Sequence, residues 1–154
     1  MSVPNDVAFK MQVSIFVRGI SRPDGTGAYG VVLMCDGATR ELSGAERGAS
    51  NNRMDIVGAI EGLNALTRPC DVTVFNNNTY LVDAIAKGWA AKWRARGWRN
   101  AENEPTPHAE LWKRLLDVCA KHDVAFVYRA LGRESHELLR CAAIARAAAD
   151  ARAS

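Results

Sequence analysis

Three strand-like segments follow one another before any helical pattern begins. Alternating apolar residues predict a strand over residues 12–18, and apolar or β-branched runs predict two more over residues 29–35 and 39–44. Asp36-Gly37 predicts a tight hairpin turn between the last two. Because short connections of this kind join antiparallel neighbours, we expect the chain to open with a three-stranded antiparallel meander.

Helical and strand patterns then alternate through the rest of the chain. From Ser50 onward apolar residues recur at helical spacing until Pro69, and Asn51 or Asn52 can cap the start of that helix. Further strands are predicted over residues 71–76 and 124–128, and further helices over residues 79–95, after a cap at Thr106 and after a cap at Ser135. The order βββαβααβα predicts an α/β fold, a five-stranded mixed β-sheet flanked by α-helices, whose fourth strand runs parallel to the first.

Length and composition are those of an ordinary globular protein. At 154 residues, 48% apolar and 24% charged, we expect a single domain over residues 1–154, with a short N-terminal extension at 1–11 and a C-terminal tail at 150–154. No apolar run approaches a bilayer span and the first residues lack the layout of a secretory signal, so we expect a cytoplasmic protein without membrane contact. The wide spacing of the four cysteines favours reduced thiols over disulfides: Cys35, Cys70, Cys119 and Cys141.

Positive charge is concentrated in residues 87–99, which we call the basic segment. It holds five cations and no acid, so the remaining residues sum to −2 in a chain whose net charge is +3. Three of the four tryptophans, Trp89, Trp93 and Trp98, lie in the same segment. Cations between aromatic residues are typical of surfaces that hold phosphates and pack on sugars or bases, so this segment predicts contact with nucleic acid.

Five local strings point to one known family. They are IFVRG (15–19), GAYGVVL (27–33), SNNRMDIVGAIEGLNAL (50–66), WAAKWRARGWRNAENEPTPHAELWKRL (89–115) and RCAAIARAAA (140–149). Together they resemble ribonuclease H of type 1 over nearly the whole chain, and the third and fourth strings are quite specific. The resemblance implies an RNase H-like fold, with the fourth string containing the basic protrusion that family members press against the DNA strand of a hybrid.

The resemblance also implies a catalytic site, from which this sequence departs. Members of the family use four carboxylates to hold two divalent metals for an in-line phosphoryl displacement. The first-strand aspartate falls on Arg18, the fourth-strand aspartate on Asn77 and the last-helix aspartate on Ala142. Only Asp55, at the position of the helix glutamate, keeps a carboxylate, and the usual loop histidine falls on Gly132.

These substitutions predict a site without magnesium. Arg18 and Asp55 sum to zero charge, and a guanidinium within a few ångströms of a divalent cation repels it strongly. We therefore expect no metal, no cofactor and no catalytic residue at these positions. Two interpretations of Arg18 stay open: it pairs with Asp55 as a neutral plug, or its planar fork binds a backbone phosphate of nucleic acid.

Several loop residues could either form a different metal site or be ordinary solvated side chains. Asp24, Glu134, His136 and Glu137 lie on loops that the implied fold brings near the same cleft, and with Asp55 they could hold one ion. Their spacing matches no metal motif, and an acid at a helix start is favoured by the helix dipole alone. We expect solvated acids here rather than ligands.

Residues that hold nucleic acid are retained in the resemblance. Ser50 to Asn52 match a turn that contacts phosphate and sugar, and Trp89 matches a residue that packs near a deoxyribose. Trp93, Trp98 and Trp112 are expected to be structural, since large aromatics mostly pack inside a fold. The predicted nucleic-acid-binding residues are Arg18, Ser50, Asn51, Asn52, Asn77, Trp89, Lys92, Arg94, Arg96 and Arg99.

The combination predicts a catalytically inactive RNase H-like protein, not an enzyme, that binds nucleic acid without cutting it. The expected ligand is an RNA/DNA hybrid or double-stranded RNA, recognised by shape, phosphates and 2′-hydroxyls. One alternative is a scaffold with a protein partner, acting as an inhibitor or tether of nucleic-acid machinery. A second is residual metal-dependent endoribonuclease activity.

Overall fold

The structure is a computed structural model that describes residues 10–132 and 135–153. Over these residues the chain forms five strands and five helices, which confirms the predicted α/β class. One sheet contains all five strands in the order β3-β2-β1-β4-β5. The elements are β1 (Met11–Ser21), β2 (Thr26–Cys35), β3 (Ala38–Arg47), α1 (Asn51–Asn64), β4 (Cys70–Asn76), α2 (Thr79–Ala86), α3 (Trp89–Ala95), α4 (Ala109–Cys119), β5 (Asp123–Tyr128) and α5 (His136–Ala153).

Strand β1 is the middle strand of the mixed sheet. It pairs antiparallel with β2, which in turn pairs antiparallel with β3, so the predicted meander is confirmed. On its other side β1 runs parallel to β4, and that pairing ends where Phe16 lies opposite Phe75. Strand β5 continues the parallel part of the sheet beside β4. The predicted crossover through α1 is therefore also present.

Helices cover the two faces of the sheet. Helix α1 packs on the face formed by Val17 and its alternating neighbours, and its own apolar side joins α4 and the α2–α3 region in the main core. Trp112 of α4 is completely buried there, with Trp93 and Tyr80 edge-on to its ring at centroid distances of 5.7 Å. Helix α5 packs on the opposite face, so close that a Cβ on Gly30 would lie 1.9 Å from the carbonyl oxygen of Cys141.

Two helix boundaries differ from the sequence prediction. The segment 79–95 forms two helices because Gly88 takes a left-handed conformation, with φ of 75°, and separates α2 from α3. Helix α4 begins after His108 rather than at a Thr106 cap. The backbone N–H of Thr106 donates instead to the carbonyl oxygen of Trp98 (2.9 Å), because residues 98–106 fold back on themselves before the helix starts.

Strand β1 and helix α5 reach almost to the two ends of the described residues. The predicted extension at 1–11 lies largely outside the described residues, although Met11 already belongs to β1, and α5 continues through the predicted tail to Ala153. Across residues 10–132 and 135–153, no helix is both long enough and apolar enough to cross a membrane. All four cysteines are free thiols, as predicted.

Candidate functional site

The candidate site lies where the parallel strands β1 and β4 diverge. Their pairing ends at Phe16 and Phe75, and one residue further the side-chain amide of Asn76 donates to the carbonyl oxygen of Val17 (2.8 Å). The start of α1 is held against the same point, because a Cβ on Gly19 would lie 2.6 Å from the backbone nitrogen of Asp55. Only a glycine in β1 permits this approach, and it brings the Asp55 side chain to the end of the sheet.

Asp55 is buried and surrounded by hydrogen-bond donors. Its exposed fraction is 1%. Oδ1 accepts from the Gly19 backbone N–H (2.7 Å) and the Asn76 amide (3.0 Å). Oδ2 accepts from the amides of Asn51 (3.0 Å) and Asn78 (2.9 Å). We call these five residues the Asp55 cluster; its four donors match the roughly four lone-pair positions of an ionised carboxylate.

The amides of the Asp55 cluster are held in one orientation. The Oδ1 of Asn76 accepts from the backbone N–H of Asn78 (2.8 Å), and the Oδ1 of Asn78 accepts from the backbone N–H of Tyr80 (3.0 Å) at the start of α2. Rotating either amide by 180° would place a nitrogen against a backbone N–H, which costs hydrogen bonds in a buried setting. Both side chains therefore present nitrogen, not oxygen, to Asp55.

Burial and charge act in opposite directions on the Asp55 carboxyl. Burial raises its pKa, whereas the Asn78 and Asn76 amides, the Gly19 N–H and the charge of Arg18 lower it. Arg18 is half-buried in β1, and among the described residues it forms no ion pair with Asp55. The interpretation of Arg18 as a direct plug for Asp55 therefore receives no support from the geometry.

The donor set around Asp55 does not fit a divalent cation in this arrangement. Magnesium and calcium take oxygen ligands, but each lone pair of the carboxylate already faces an N–H. Elsewhere in residues 10–132 and 135–153, no group of three His, Cys, Asp or Glu side chains could hold a metal ion. Asp24, considered as a ligand, instead pairs with Arg22 (2.9 Å), and Glu134 lies outside the described residues.

The remaining degenerate positions lie around this cluster without joining it. Asn77 is half-buried at the end of β4, while its neighbours on either side make the contacts to Asp55. Ala142 is buried on α5, and Gly132 is exposed in the loop before that helix. Sequence reasoning missed Asn76 and Asn78; the signal was the run of three asparagines at the end of a buried strand.

The predicted turn at the start of α1 forms the rim of the site. Ser50, rather than Asn51 or Asn52, is the N-cap, and its Oγ accepts from the Arg53 backbone N–H (3.1 Å). The Oδ1 of Asn52 accepts from the Asn78 amide (2.7 Å), which connects this turn to the start of α2. All three predicted residues of the turn are exposed.

Arg53, which follows the rim in α1, forms ion pairs with two other elements. Its Nε donates to Glu46 of β3 (3.0 Å) and its Nη1 donates to Glu110 of α4 (3.2 Å). Neither contact could be predicted from local sequence, because the three residues are brought together only by the fold. The start of α1, and with it the rim, is therefore joined to β3 on one side and to α4 on the other.

The basic segment forms α3 and the turns that flank it. Lys92, Arg94, Arg96 and Arg99 are all exposed, although Arg94 forms an ion pair with Asp117 of α4. Trp89 is half-buried, and the Lys87 ammonium lies 5.6 Å from its ring centroid. All four tryptophans pack against the main core, Trp112 as a completely buried member and Trp89, Trp93 and Trp98 as partly buried ones.

Comparisons with known proteins identify the fold and its relatives. A family model described as RNase H matches residues 10–130. A ribonuclease H of Syntrophus aciditrophicus (strain SB) is 43% identical over 140 residues, which cover 90% of this chain and 80% of that protein. The crystal structure of LC9-RNase H1, a type 1 RNase H with the type 2 active-site motif, has a TM-score of 0.80 at 20% identity, covering 96% of this chain and 75% of the other. That of LC11-RNase H1 in complex with an RNA/DNA hybrid has a TM-score of 0.70 at 20% identity, covering 92% and 99%.

These comparisons correct the prediction of an inactive protein. The relatives that match across most of the chain are named ribonuclease H, an enzyme, so the expectations of a pseudoenzyme and of a non-enzymatic scaffold are wrong. The expectation of no magnesium, which was drawn from the substituted carboxylate positions and the charge of Arg18, is wrong as well, because the RNase H family consists of enzymes that use this ion. The error arose from treating four substituted positions as the whole function of a chain that is similar to the enzymes throughout.

Proposed function

The chain belongs to the RNase H family, and we propose that it is a ribonuclease H that cuts the RNA strand of an RNA/DNA hybrid. The observation that carries this proposal is identity of 43% over 90% of the chain to a protein named ribonuclease H. The match to the family model also spans the rim of the site and the basic segment, since it covers residues 10–130.

The proposed substrate follows from the exposed polar and basic residues beside the site and from one structural relative. LC11-RNase H1 was solved in complex with an RNA/DNA hybrid. In this chain the exposed rim and the exposed cations of α3 offer short polar donors and positive charge, which suit a sugar–phosphate backbone read by shape. Double-stranded RNA has similar geometry and is the competitor that the experiment must separate from the hybrid.

We assign contacts to nucleic acid by the same reasoning. The rim contacts phosphate and ribose, Trp89 packs on a sugar, and the basic segment contacts the phosphates of the second strand. Asp55 is the carboxylate at the centre of the site. The proposed contact residues are Arg18, Ser50, Asn51, Asn52, Asn77, Trp89, Lys92, Arg94, Arg96 and Arg99.

We also propose that the protein works in the cytoplasm, which is a reducing compartment. Four free thiols in one small domain suit such an environment. Burial raises the pKa of Cys119 and Cys141 to about 12, so these two thiols stay protonated and unreactive at neutral pH.

A cleavage assay with end-labelled RNA tests the function. The RNA is presented alone, in a hybrid with DNA, and in an RNA duplex, with Mg²⁺, with Mn²⁺ and with EDTA. We expect discrete RNA fragments from the hybrid with a divalent ion and none with EDTA. Binding of each duplex in EDTA is measured in parallel by fluorescence anisotropy.

Contaminating nuclease of the expression host is the main source of a false result. Asp55→Ala protein, purified by the same steps and shown by circular dichroism to be folded, is therefore the control and should lose cleavage. If the folded wild-type protein binds hybrid tightly but releases no fragment with either ion, or if Asp55→Ala cuts equally well, the proposed activity is wrong.

A further inference from the structure

Arg18 and Arg129 lie on one face of the sheet, where the parallel strands end. Phe16 of β1, Phe75 of β4 and Val127 of β5 are partners across three neighbouring strands. Arg18 lies two residues beyond Phe16 and Arg129 lies two residues beyond Val127, at the end of the parallel strands. Because side chains alternate along a strand, both arginines lie on the face of Phe16, and the strands that lead to them are about 10 Å apart, or two strand spacings, where the pairing ends.

The Arg129 guanidinium lies over an aromatic ring and not beside a carboxylate of the described residues. Its guanidinium carbon lies 4.3 Å from the ring centroid of Phe75 and 5.7 Å from that of Phe16. The two rings are themselves stacked, with centroids 4.9 Å apart. A guanidinium over an aromatic face loses little of its capacity to donate hydrogen bonds, because its N–H groups lie in its own plane.

Neither guanidinium has a carboxylate partner in the described part of the chain. No ion pair of residues 10–132 and 135–153 includes Arg18 or Arg129. The nearby carboxylate of Asp55 is already saturated by its four N–H donors. Two half-buried cations on one edge repel each other, and an anion between them would relieve that repulsion.

We propose that Arg18 and Arg129 together bind the phosphodiester backbone of the nucleic-acid strand that enters the site. This inference rests on the proposed function, since it names how that site holds its substrate. Arginine suits the role because its planar fork donates two parallel hydrogen bonds to a phosphate. The stack on Phe75 orients the Arg129 fork before binding, which lowers the entropy lost when the strand arrives.

The salt dependence of binding tests this pair. Affinity of the full-length protein for a short RNA/DNA hybrid is measured in EDTA at several salt concentrations, for wild type, Arg18→Gln, Arg129→Gln and the double variant. Each lost phosphate contact should reduce the slope of log affinity against log salt by about one, and the double variant should lose about two. Arg68→Gln, an exposed arginine in the loop before β4, carries the same charge change at the opposite edge of the sheet and should leave the slope unchanged.

Two further comparisons separate binding from packing. Arg129→Lys retains the charge but not the planar stack, so it should keep the wild-type slope if Arg129 contacts phosphate. Thermal unfolding of every variant confirms that the protein is folded. The inference is overturned if wild type binds the hybrid and the two single variants behave like Arg68→Gln. Failure of wild type to bind any duplex would instead contradict the proposed function.

Discussion

The side-chain amide of Asn76 donates a 3.0 Å hydrogen bond to the Asp55 carboxylate at a point where both side chains are shielded from solvent. The same amide donates to the Val17 carbonyl oxygen, so one nitrogen connects β1, β4 and α1. A buried carboxylate is costly unless it is well hydrogen-bonded, and this contact helps to meet that requirement. The junction therefore positions the site and stabilises the fold together.

Removing the Asn76 amide should destabilise the protein. Asn76→Ala leaves the Val17 carbonyl and one Asp55 lone pair unsatisfied in a buried place, which should cost about 1–3 kcal/mol in the free energy of unfolding. Urea denaturation measures the change. Asn77→Ala removes a half-buried asparagine one position along and should change stability much less; equal losses would mean that the cluster has no special role.

Arg18 should lower the pKa of Asp55 at a distance. In Arg18→Gln that positive charge is gone, so the pKa of the Asp55 carboxyl should rise above its wild-type value. Because burial raises the pKa of Asp55 in the folded state above its unfolded value, the free energy of unfolding should decrease as pH rises through the folded-state pKa. NMR titration of the Asp55 side-chain carbon gives the pKa directly, and Arg68→Gln should leave it unchanged. A pKa of Asp55 that is the same in Arg18→Gln and wild type would contradict this prediction.

The close packing of α5 on the sheet should depend on Gly30. A Cβ at this position would lie 1.9 Å from the Cys141 carbonyl oxygen, so the helix must move if alanine is introduced. We expect Gly30→Ala to destabilise the protein by about 1–3 kcal/mol or more, which is the usual cost of overpacking a buried site. Gly132→Ala meets nothing within 4 Å and should be nearly neutral in the same thermal unfolding experiment. A neutral Gly30→Ala would show that α5 does not pack as described.

Substitutions of Trp112 and of Trp89 should differ in their effects on stability and on nucleic-acid binding. Trp112 is completely buried, so Trp112→Ala should cost about 3–5 kcal/mol of stability. Trp89→Ala removes a half-buried ring that packs on the border of the main core, so it should cost less stability than Trp112→Ala and should weaken hybrid binding by about 1–3 kcal/mol if the ring stacks on nucleic acid. Denaturation and anisotropy on both variants provide the comparison; unchanged affinity in Trp89→Ala would remove this residue from the interface.

Exposed cations of the basic segment should contribute to binding without sequence preference. Lys92→Gln combined with Arg96→Gln should reduce the salt slope for hybrid binding by about two and lower affinity equally for unrelated sequences. The control is Lys113→Gln with Lys121→Gln, two exposed lysines on α4 and the turn after it, outside the basic segment. If both pairs of substitutions reduce the salt slope equally, the basic segment contributes no more to binding than other exposed cations do.

Local patterns predicted the elements well and their boundaries less well. Alternating apolar residues and a capped helical repeat were sufficient for the meander, α1 and the parallel strand β4, because each depends mainly on its own residues. The start of α4 was misplaced, since Thr106 is bound to Trp98 by a chain reversal that local propensity does not encode. Similarly, Ser135 does not use its hydroxyl to cap α5 in the expected way; its Oγ donates to the Ala130 carbonyl oxygen (2.6 Å).

The amino-acid sequence by itself determined the fold, the position of the one retained carboxylate and the location of the basic segment, because these follow from apolar periodicity, residue identity and charge along the chain. Only the tertiary structure decided that Asn76 and Asn78, rather than Asn77, contact Asp55, and that the Arg129 guanidinium lies over the rings of Phe75 and Phe16. The physical reason is that hydrogen bonds and stacking act over a few ångströms between residues far apart in sequence. Which of three neighbouring asparagines faces a carboxylate depends on how a strand ends, and no local pattern contains that information.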